Sequence, residues 1–555
     1  MLYNTVARAG FIGLSICLLY ARKSSEPSAL FHERISNDQK VEHALSRLTF
    51  GPRPGDIQRV QALGLKKWID LQLHPERIPE NPSLAAKLRP LDTIGMPTAK
   101  MLRDYPSPAI VKEMVAGKLP FPADPDKRMM VDRLATRLQG TSSAPELAAL
   151  LEPDQLRVMR AGTAQQKLSL FSSFPPERQD QVLESMGQGM RMQLFAASPP
   201  SLRRRIQSSN GPQAMVVQDL VEAKLLRAVY SDRQLEEVLA DFWYNHFNVF
   251  IEKGADRYLV TAYDRDAIRP HVLGKFEDLL RATAQSPAML FFLDNWESAD
   301  PQSPAGKRRK LGLNENYGRE LLELHTLGVD GGYTQKDVTE VARCFTGWSI
   351  EEPQRLAEFK FNPRMHDNGE KTVLGVRIPA GGGIDDGFKV LHLLAHQPAT
   401  AHFISRKIAM RFVADDPPET LVKRMAATFL SKDGDLRAVL KTMFDSPEFW
   451  SRGAYRAKMK SPLEMVASSL RALNADVDFT FGLANQLNQL GEPLYRKLEP
   501  TGYSNSGQEW LNSAGLLARM NFSMALVNNK VAGVKVDTTQ SAQGVTLGSP
   551  EFQRK

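Results

Sequence analysis

Cysteine is nearly absent from this chain of 555 residues, with only Cys17 and Cys344 present. Two thiols cannot build a disulfide framework, so stability has to come from packing, and the compartment cannot be read from cysteine. Long apolar runs are missing too. The one sustained stretch, Gly10 to Tyr20, is short of the about 20 residues that a stable transmembrane helix needs. Charge is close to balanced, with 71 basic against 63 acidic residues and a net charge of +8. Its densest basic clusters, Arg203-Arg204-Arg205 and Lys307-Arg308-Arg309-Lys310, lie in Pro/Ser-containing stretches and read as solvated loop charge. No zinc-finger spacing or RNP-like aromatic strand accompanies them, so no nucleic-acid partner is expected. No internal repeat of fixed period occurs. A glycine triplet, Gly381-Gly382-Gly383, lacks the lysine and the G-x-G-x-x-G frame of a phosphate loop.

What remains is a composition of 42% hydrophobic and 24% charged residues, ample for a large globular core. Arg8 ahead of Gly10–Tyr20, with Ala21-Arg22-Lys23 and a polar Ser/Pro stretch behind it, has the form of an export signal, although no clean small-x-small cleavage site follows. The expectation is an exported protein of the periplasm or cell envelope; a cytoplasmic protein is the alternative if the segment is not a signal. Residues 1–30 are therefore set aside as signal-like.

Helical periodicity starts at Ser36, where Ser36 and Gln39 form a capping-box pair and Val41, Ala44, Leu45 and Leu48 recur on one face. Residues 31–75 are read as the first helices of the main body. Residues 76–212, broken by Pro, Gln, Ser and Met, are read as an insertion of short helices. The main body resumes over 213–530. Helices are expected through Tyr230, from a Ser231/Gln234 capping pair to Phe247, over 314–327, after Thr334 with Asp337 as its partner, and from Ser506/Glu509 over 508–527. Glu358–Phe361 and Thr372–Ile378 alternate like strands and are expected to pair as one β-hairpin. Residues 531–555 are expected to form a disordered tail. The fold class is all-α: a large multi-helix body with a small β-hairpin insertion.

Three segments carry a resemblance: Asp241-Phe-Trp-Tyr-Asn-His-Phe-Asn248, Ser286-Pro-Ala-Met-Leu-Phe-Phe-Leu-Asp294, and Asn314-Glu-Asn-Tyr-Gly-Arg-Glu-Leu-Leu-Glu-Leu-His-Thr-Leu-Gly328 continuing to Phe345-Thr-Gly-Trp348. With Lys460-Ser-Pro-Leu-Glu464 and Trp510-Leu-Asn512, the chain resembles the bacterial domain of unknown function 1800 family over most of residues 40–530. The resemblance implies an exported bacterial protein, often encoded beside a sulfatase-like exported protein that is a candidate partner. It implies no activity.

The same segments supply the candidate site. On an ideal helix Asn316, Arg319, Glu320 and Glu323 share one face, while Tyr317, Leu321, Leu324 and His325 share the other. Asp241, Asn245 and Asn248 likewise share a face, with His246 among aromatics. One reading makes His246 and His325 core residues and Glu315, Arg319 and Glu323 a charge ladder worth about 0.2–0.5 kcal/mol per pair. The other gathers Asn245, Arg319, Glu320 and Glu323 in one cleft with His366 and Asp367 at its mouth, suited to general acid–base or metal-assisted hydrolysis. Neither an H-E-x-x-H spacing nor a G-x-S-x-G elbow is present. Cys344 reads as a small core residue. Cofactor and metal stay unassigned. A noncatalytic partner or assembly factor is preferred, and a hydrolase with a carboxylate/Arg/His cleft is the alternative.

Overall fold

The computed structural model describes residues 27–140, 146–208, 211–537 and 543–555. The signal-like segment around Arg8 and Gly10–Tyr20 lies outside the described residues. Helix makes up 61% of the structure and strand 5%, so the protein is all-α with small β elements.

The helices that position the site are α1 (Asn37–Leu48), α2 (Pro212–Tyr230), α3 (Gln234–His246), α4 (Phe276–Ala284), α5 (Gln335–Cys344), α6 (Asp385–Ala395), α7 (Pro398–Phe412), α8 (Pro462–Ala472) and α9 (Ser513–Val527). Local signals explain their starts. Ser36 and Gln39 close the capping box of α1, and Thr334 and Asp337 that of α5. Asp435 caps the Leu436–Phe444 helix through Ala438 N–H. The centre of the body is α2. It is apolar on most sides, and Met215, Val216, Leu220, Ala223, Leu226 and Val229 are all buried, as expected of a helix surrounded by others. Large apolar side chains buried in this way each contribute about 1.5–3 kcal/mol.

Among the described residues six short strands form three antiparallel ladders: β1 (Trp348–Glu351) with β2 (Glu358–Phe361), β3 (Lys371–Val373) with β4 (Val376–Ile378), and β5 (Asp476–Val477) with β6 (Val534–Lys535). The two segments expected to pair with each other each take a different partner. Glu358–Phe361 folds back on Trp348, whose buried indole packs on Phe345, Phe359 and Phe388. Lys371–Ile378 is a hairpin in itself, because Leu374 and Gly375 both take positive φ and form a two-residue turn whose twist suits the strands.

Four other expectations are corrected. Ser506 and Glu509 do not open a long helix: Gly507–Trp510 is one 3₁₀ turn, and α9 starts beyond it with Asn512 accepting from Gly515 N–H. Gln234 is not the partner of a Ser231 cap; its amide donates to Ala228 and Ser231 carbonyls and accepts from Phe50 N–H, tying α3 to the chain after α1. Arg203, Arg204 and Arg205 are not loop charge. They lie on the Pro200–Ser208 helix and pair with Asp478, with Asp219 and Asp92, and with Asp180. The region 531–555 is not a loose tail where it is described. Val534–Lys535 pairs with β5, Gln543–Gly548 and Pro550–Gln553 are helical, and Lys555 is buried with its backbone bonded to Lys458.

The expected insertion divides. Leu84, Met101, Tyr105, Val111 and Val131 belong to the main core, whereas Leu151, Met159, Phe171, Leu183, Leu194 and Ile206 form a separate small core that touches the body at Phe479.

Candidate functional site

Several of the recognisable segments meet in one polar cleft, lined by Asp241 and Asn245 from α3, Arg411 from α7, Lys458, Ser461 and Glu464 at the start of α8, Glu492, Tyr503, Ser504, Asn505, Trp510, and Lys555. The start of α8 organises it. Ser461 and Glu464 form a capping box, and Glu492 accepts the Leu463 N–H at 2.7 Å. Two carboxyl groups thus satisfy first-turn N–H donors and sit at the positive end of the helix.

Their electrostatics differ. Burial alone would raise the Glu464 carboxyl, but Arg411 and Lys555, both bonded to its Oε1, hold it well below the usual carboxylate range. Burial raises Glu492 to about 7, helped by the charge of Asp241, which itself pairs with Lys224 of α2 at 2.7 Å. Asn245 donates to the Asp241 carbonyl at 3.0 Å and accepts from Tyr503 N–H at 3.1 Å. That contact needs Gly502, whose φ is +69° and whose hydrogen faces the Asn245 carbonyl where a Cβ would stand 2.0 Å away. Lys458 closes the wall by bonding Asp415 and the Asn505 carbonyl. The cavity is about 30 Å³, room for a water or two. One carboxyl protonated near neutrality beside a firmly ionised one is a pairing suited to general acid–base chemistry.

On the opposite side of α3, His246 donates from Nε2 to the His325 carbonyl at 3.1 Å and accepts from Lys407 at Nδ1, 2.9 Å away. His325 stands on a π-turn, Leu321–Thr326, where Thr326 Oγ1 and Leu327 N–H reach back to Leu321 and Leu322 carbonyls. The expected single helix over 314–327 is therefore α-helical only through Glu320, and the wider turn sets where His325 points. Burial lowers His246 and takes His325 down to about 3, with Lys407 adding to both, and it lowers Lys407 to about 8.

The other candidates do not join Asn245. Arg319 bonds Glu315 at 3.4 Å and Gln335 at 3.0 Å in a half-exposed ladder. Glu323 accepts from Tyr333, and Glu320 is raised by partial burial and by Glu323. His366 is fully buried, 3.3 Å from Asp386, which also binds Lys371 at 2.7 Å. Asp367 takes a two-point bond from Arg343, and burial, which would raise it, is outweighed so that it stays low. This second buried network staples the β3–β4 hairpin to α5 and α6. Cys344 is buried and pushed up to about 12 by burial, which makes it unreactive as a thiolate.

Lys224, Lys407, Arg411 and Glu492 were missed as site residues. Their spacing carries no motif, and only the packing of α2, α7 and the 490s brings them to α3, Lys407 on the His246 side and the others on the cleft side. Glu464 was visible as part of Lys460-Ser-Pro-Leu-Glu464, but not its two cations.

No curated protein and no solved structure matches the chain significantly. The family model described as a protein of unknown function, DUF1800, matches residues 43–554; with nearly the whole length covered, the chain belongs to the DUF1800 family.

Proposed function

We propose that this chain is a noncatalytic binding protein of the bacterial cell envelope that docks another exported protein through α9. The observation that carries this reading is an apolar strip. Leu511, Leu516, Leu517, Met520 and Met524 are each between 43% and 59% exposed, and the last four fall on one side of α9 by their spacing. Its other side, with Arg519, Phe522 and Leu526, is buried in the body. Grouped apolar side chains left open to water mark association surfaces, and methionine adapts to varied partners. The strip begins one residue beyond Trp510, so it borders the polar cleft. The occupant is an apolar helix or strand of a co-exported protein, the sulfatase-like product encoded beside members of the family being the first to test. A photo-crosslinking side chain at position 517 in the native host should yield one heterologous adduct, lost with Met520→Asp while the melting temperature holds. Adducts only between copies of this chain, or none, overturn the reading. Export rests on Arg8 and the run after it; a shortened N-terminus on protein recovered from the host supports it, and intact Met1 in the cytoplasm refutes it.

A second reading, an acid–base hydrolase, is favoured by the contrast between Glu492 and Glu464. Purified protein would then cleave a chromogenic ester, glycoside or phosphate ester, and Glu492→Gln would abolish cleavage without unfolding.

A further inference from the structure

Away from the cleft, α6 carries His392 in its last turn and is capped by His396 just beyond it, one turn further on and on the same face. Glu277 of α4 reaches them: its Oε2 is 3.0 Å from His392 Nδ1 and 3.9 Å from His396 Nδ1. Asp433, in the turn before the Leu436–Phe444 helix, places Oδ1 2.7 Å from His396 Nε2. Ligand atoms of Glu277, His392 and His396 all lie within 4.8 Å of one another. We propose that Glu277, His392, His396 and Asp433 bind a divalent transition-metal ion, with Zn²⁺ the best match to the donor set.

Two imidazoles and two carboxylates are a zinc-type set, unlike the all-oxygen shells that calcium and magnesium prefer. Donors around a tetrahedral zinc stand about 3.3 Å apart; the Glu277–His392 and His396–Asp433 pairs are each already near that spacing, and closing on one ion requires the two pairs to rotate toward each other. The second shell is in place. His396 Nδ1 lies 2.8 Å from the His392 carbonyl, a bond that leaves Nε2 as the ligand atom and fixes the ring. Lys275 holds the other oxygen of Asp433. The backbone beneath is already joined: Phe276 N–H donates to Gly434 and Leu436 N–H to Gly274, on both sides of the Lys275–Asp435 bridge. The turn carrying Asp433 is thereby pinned to the start of the helix carrying Glu277. Without an ion the four groups amount to ion pairs near the surface, which contribute little to stability. The ion would clamp α4, α6 and this turn at one point, and the site is independent of the function proposed above.

The test uses the full chain without a histidine tag, stripped with chelator, and titrated with ZnCl₂ by calorimetry and with Co²⁺ by visible absorption. One ion per chain is expected, with the intense Co²⁺ bands of four-coordination and a rise in melting temperature on adding zinc. His392→Ala/His396→Ala should weaken binding by at least about tenfold and remove the thermal shift, with an unchanged circular dichroism spectrum. His402→Ala, altering a histidine paired elsewhere with Glu419, should bind as the parent does. Absence of binding, or equal stoichiometry and affinity in the double variant, overturns the site and leaves only a surface ion-pair cluster.

Discussion

Lys407 delivers its amine to Nδ1 of His246 at 2.9 Å, a cation placed against a neutral acceptor. Burial brings Lys407 down to about 8, far below the about 10.4 of an unfolded lysine. Between those two values the unfolded chain binds the extra proton, so stability rises with pH across pH 8 to 10.5 and is lowest once pH falls below 8. Denaturant unfolding of wild type and Lys407→Met at pH 7.5, 9 and 10.5 should show wild type gaining roughly 2–3 kcal/mol on the variant over that span. A constant difference would show that Lys407 stays solvated in the folded protein.

Glu492 gives the opposite sign. Its folded value of about 7 lies above the unfolded value near 4.3, so its contribution is complete below about pH 4.3 and is lost as pH rises to 7. Glu492→Gln, an isostere of the protonated acid, should match wild type at pH 4 and exceed it by roughly 3–4 kcal/mol at pH 8. Glu464→Gln should behave otherwise, destabilising by about 3–5 kcal/mol at neutral pH because Arg411 and Lys555 lose their buried counter-charge. Equal behaviour of the two variants in thermal and chemical unfolding would contradict the electrostatic contrast in the cleft.

Gly502→Ala should cost about 2–4 kcal/mol, since a side chain there meets both a left-handed backbone and the Asn245 carbonyl. Gly491→Ala, which also has positive φ but open space around it, should cost only the backbone strain, about 1 kcal/mol. The difference in unfolding midpoint between the two isolates the close approach of the Tyr503 loop to α3.

Replacing residues 146–208 with a short linker should leave a folded body, provided Asp219→Asn accompanies it, because Arg204 otherwise leaves a buried carboxylate without its partner. Removing 82–135 should abolish folding, since Leu84, Met101, Val111 and Val131 are part of the main core. Cooperative melting of the second deletion protein would show that the core has been divided in the wrong place.

Arg319 shows how far the helix pattern could be trusted. Its pairing with Glu315 was legible from the i, i+4 spacing, and so was the apolar setting of His246 and His325, because periodicity reports which face of a helix is buried. What that face meets was not legible. The π-turn at Leu321–Thr326 comes from hydrogen bonds whose alternatives in an ordinary α-helix would use the same residues. The spacing of His392 and His396 is present in the sequence but marks no site there, since two histidines become a candidate site only when Glu277, 115 positions away, is brought beside them.

The sequence alone determined the fold class, the helix starts with side-chain caps at Ser36, Thr334 and Asp435, and the burial of the aromatic and histidine faces of α3. These depend on interactions within a few residues, or on burial that repeats with the helical turn. Tertiary structure alone decided the pairing of Glu358–Phe361 with Trp348–Glu351, the ordering of 543–555 against the body, the pairing of Arg204 with the buried Asp219, and the cleft where Glu464 and Glu492 share one helix end. Each joins groups far apart in the chain, and a charge or strand edge in the sequence does not specify which distant partner will satisfy it. That choice follows from how the helices pack and which buried groups then need a counter-charge or a hydrogen bond.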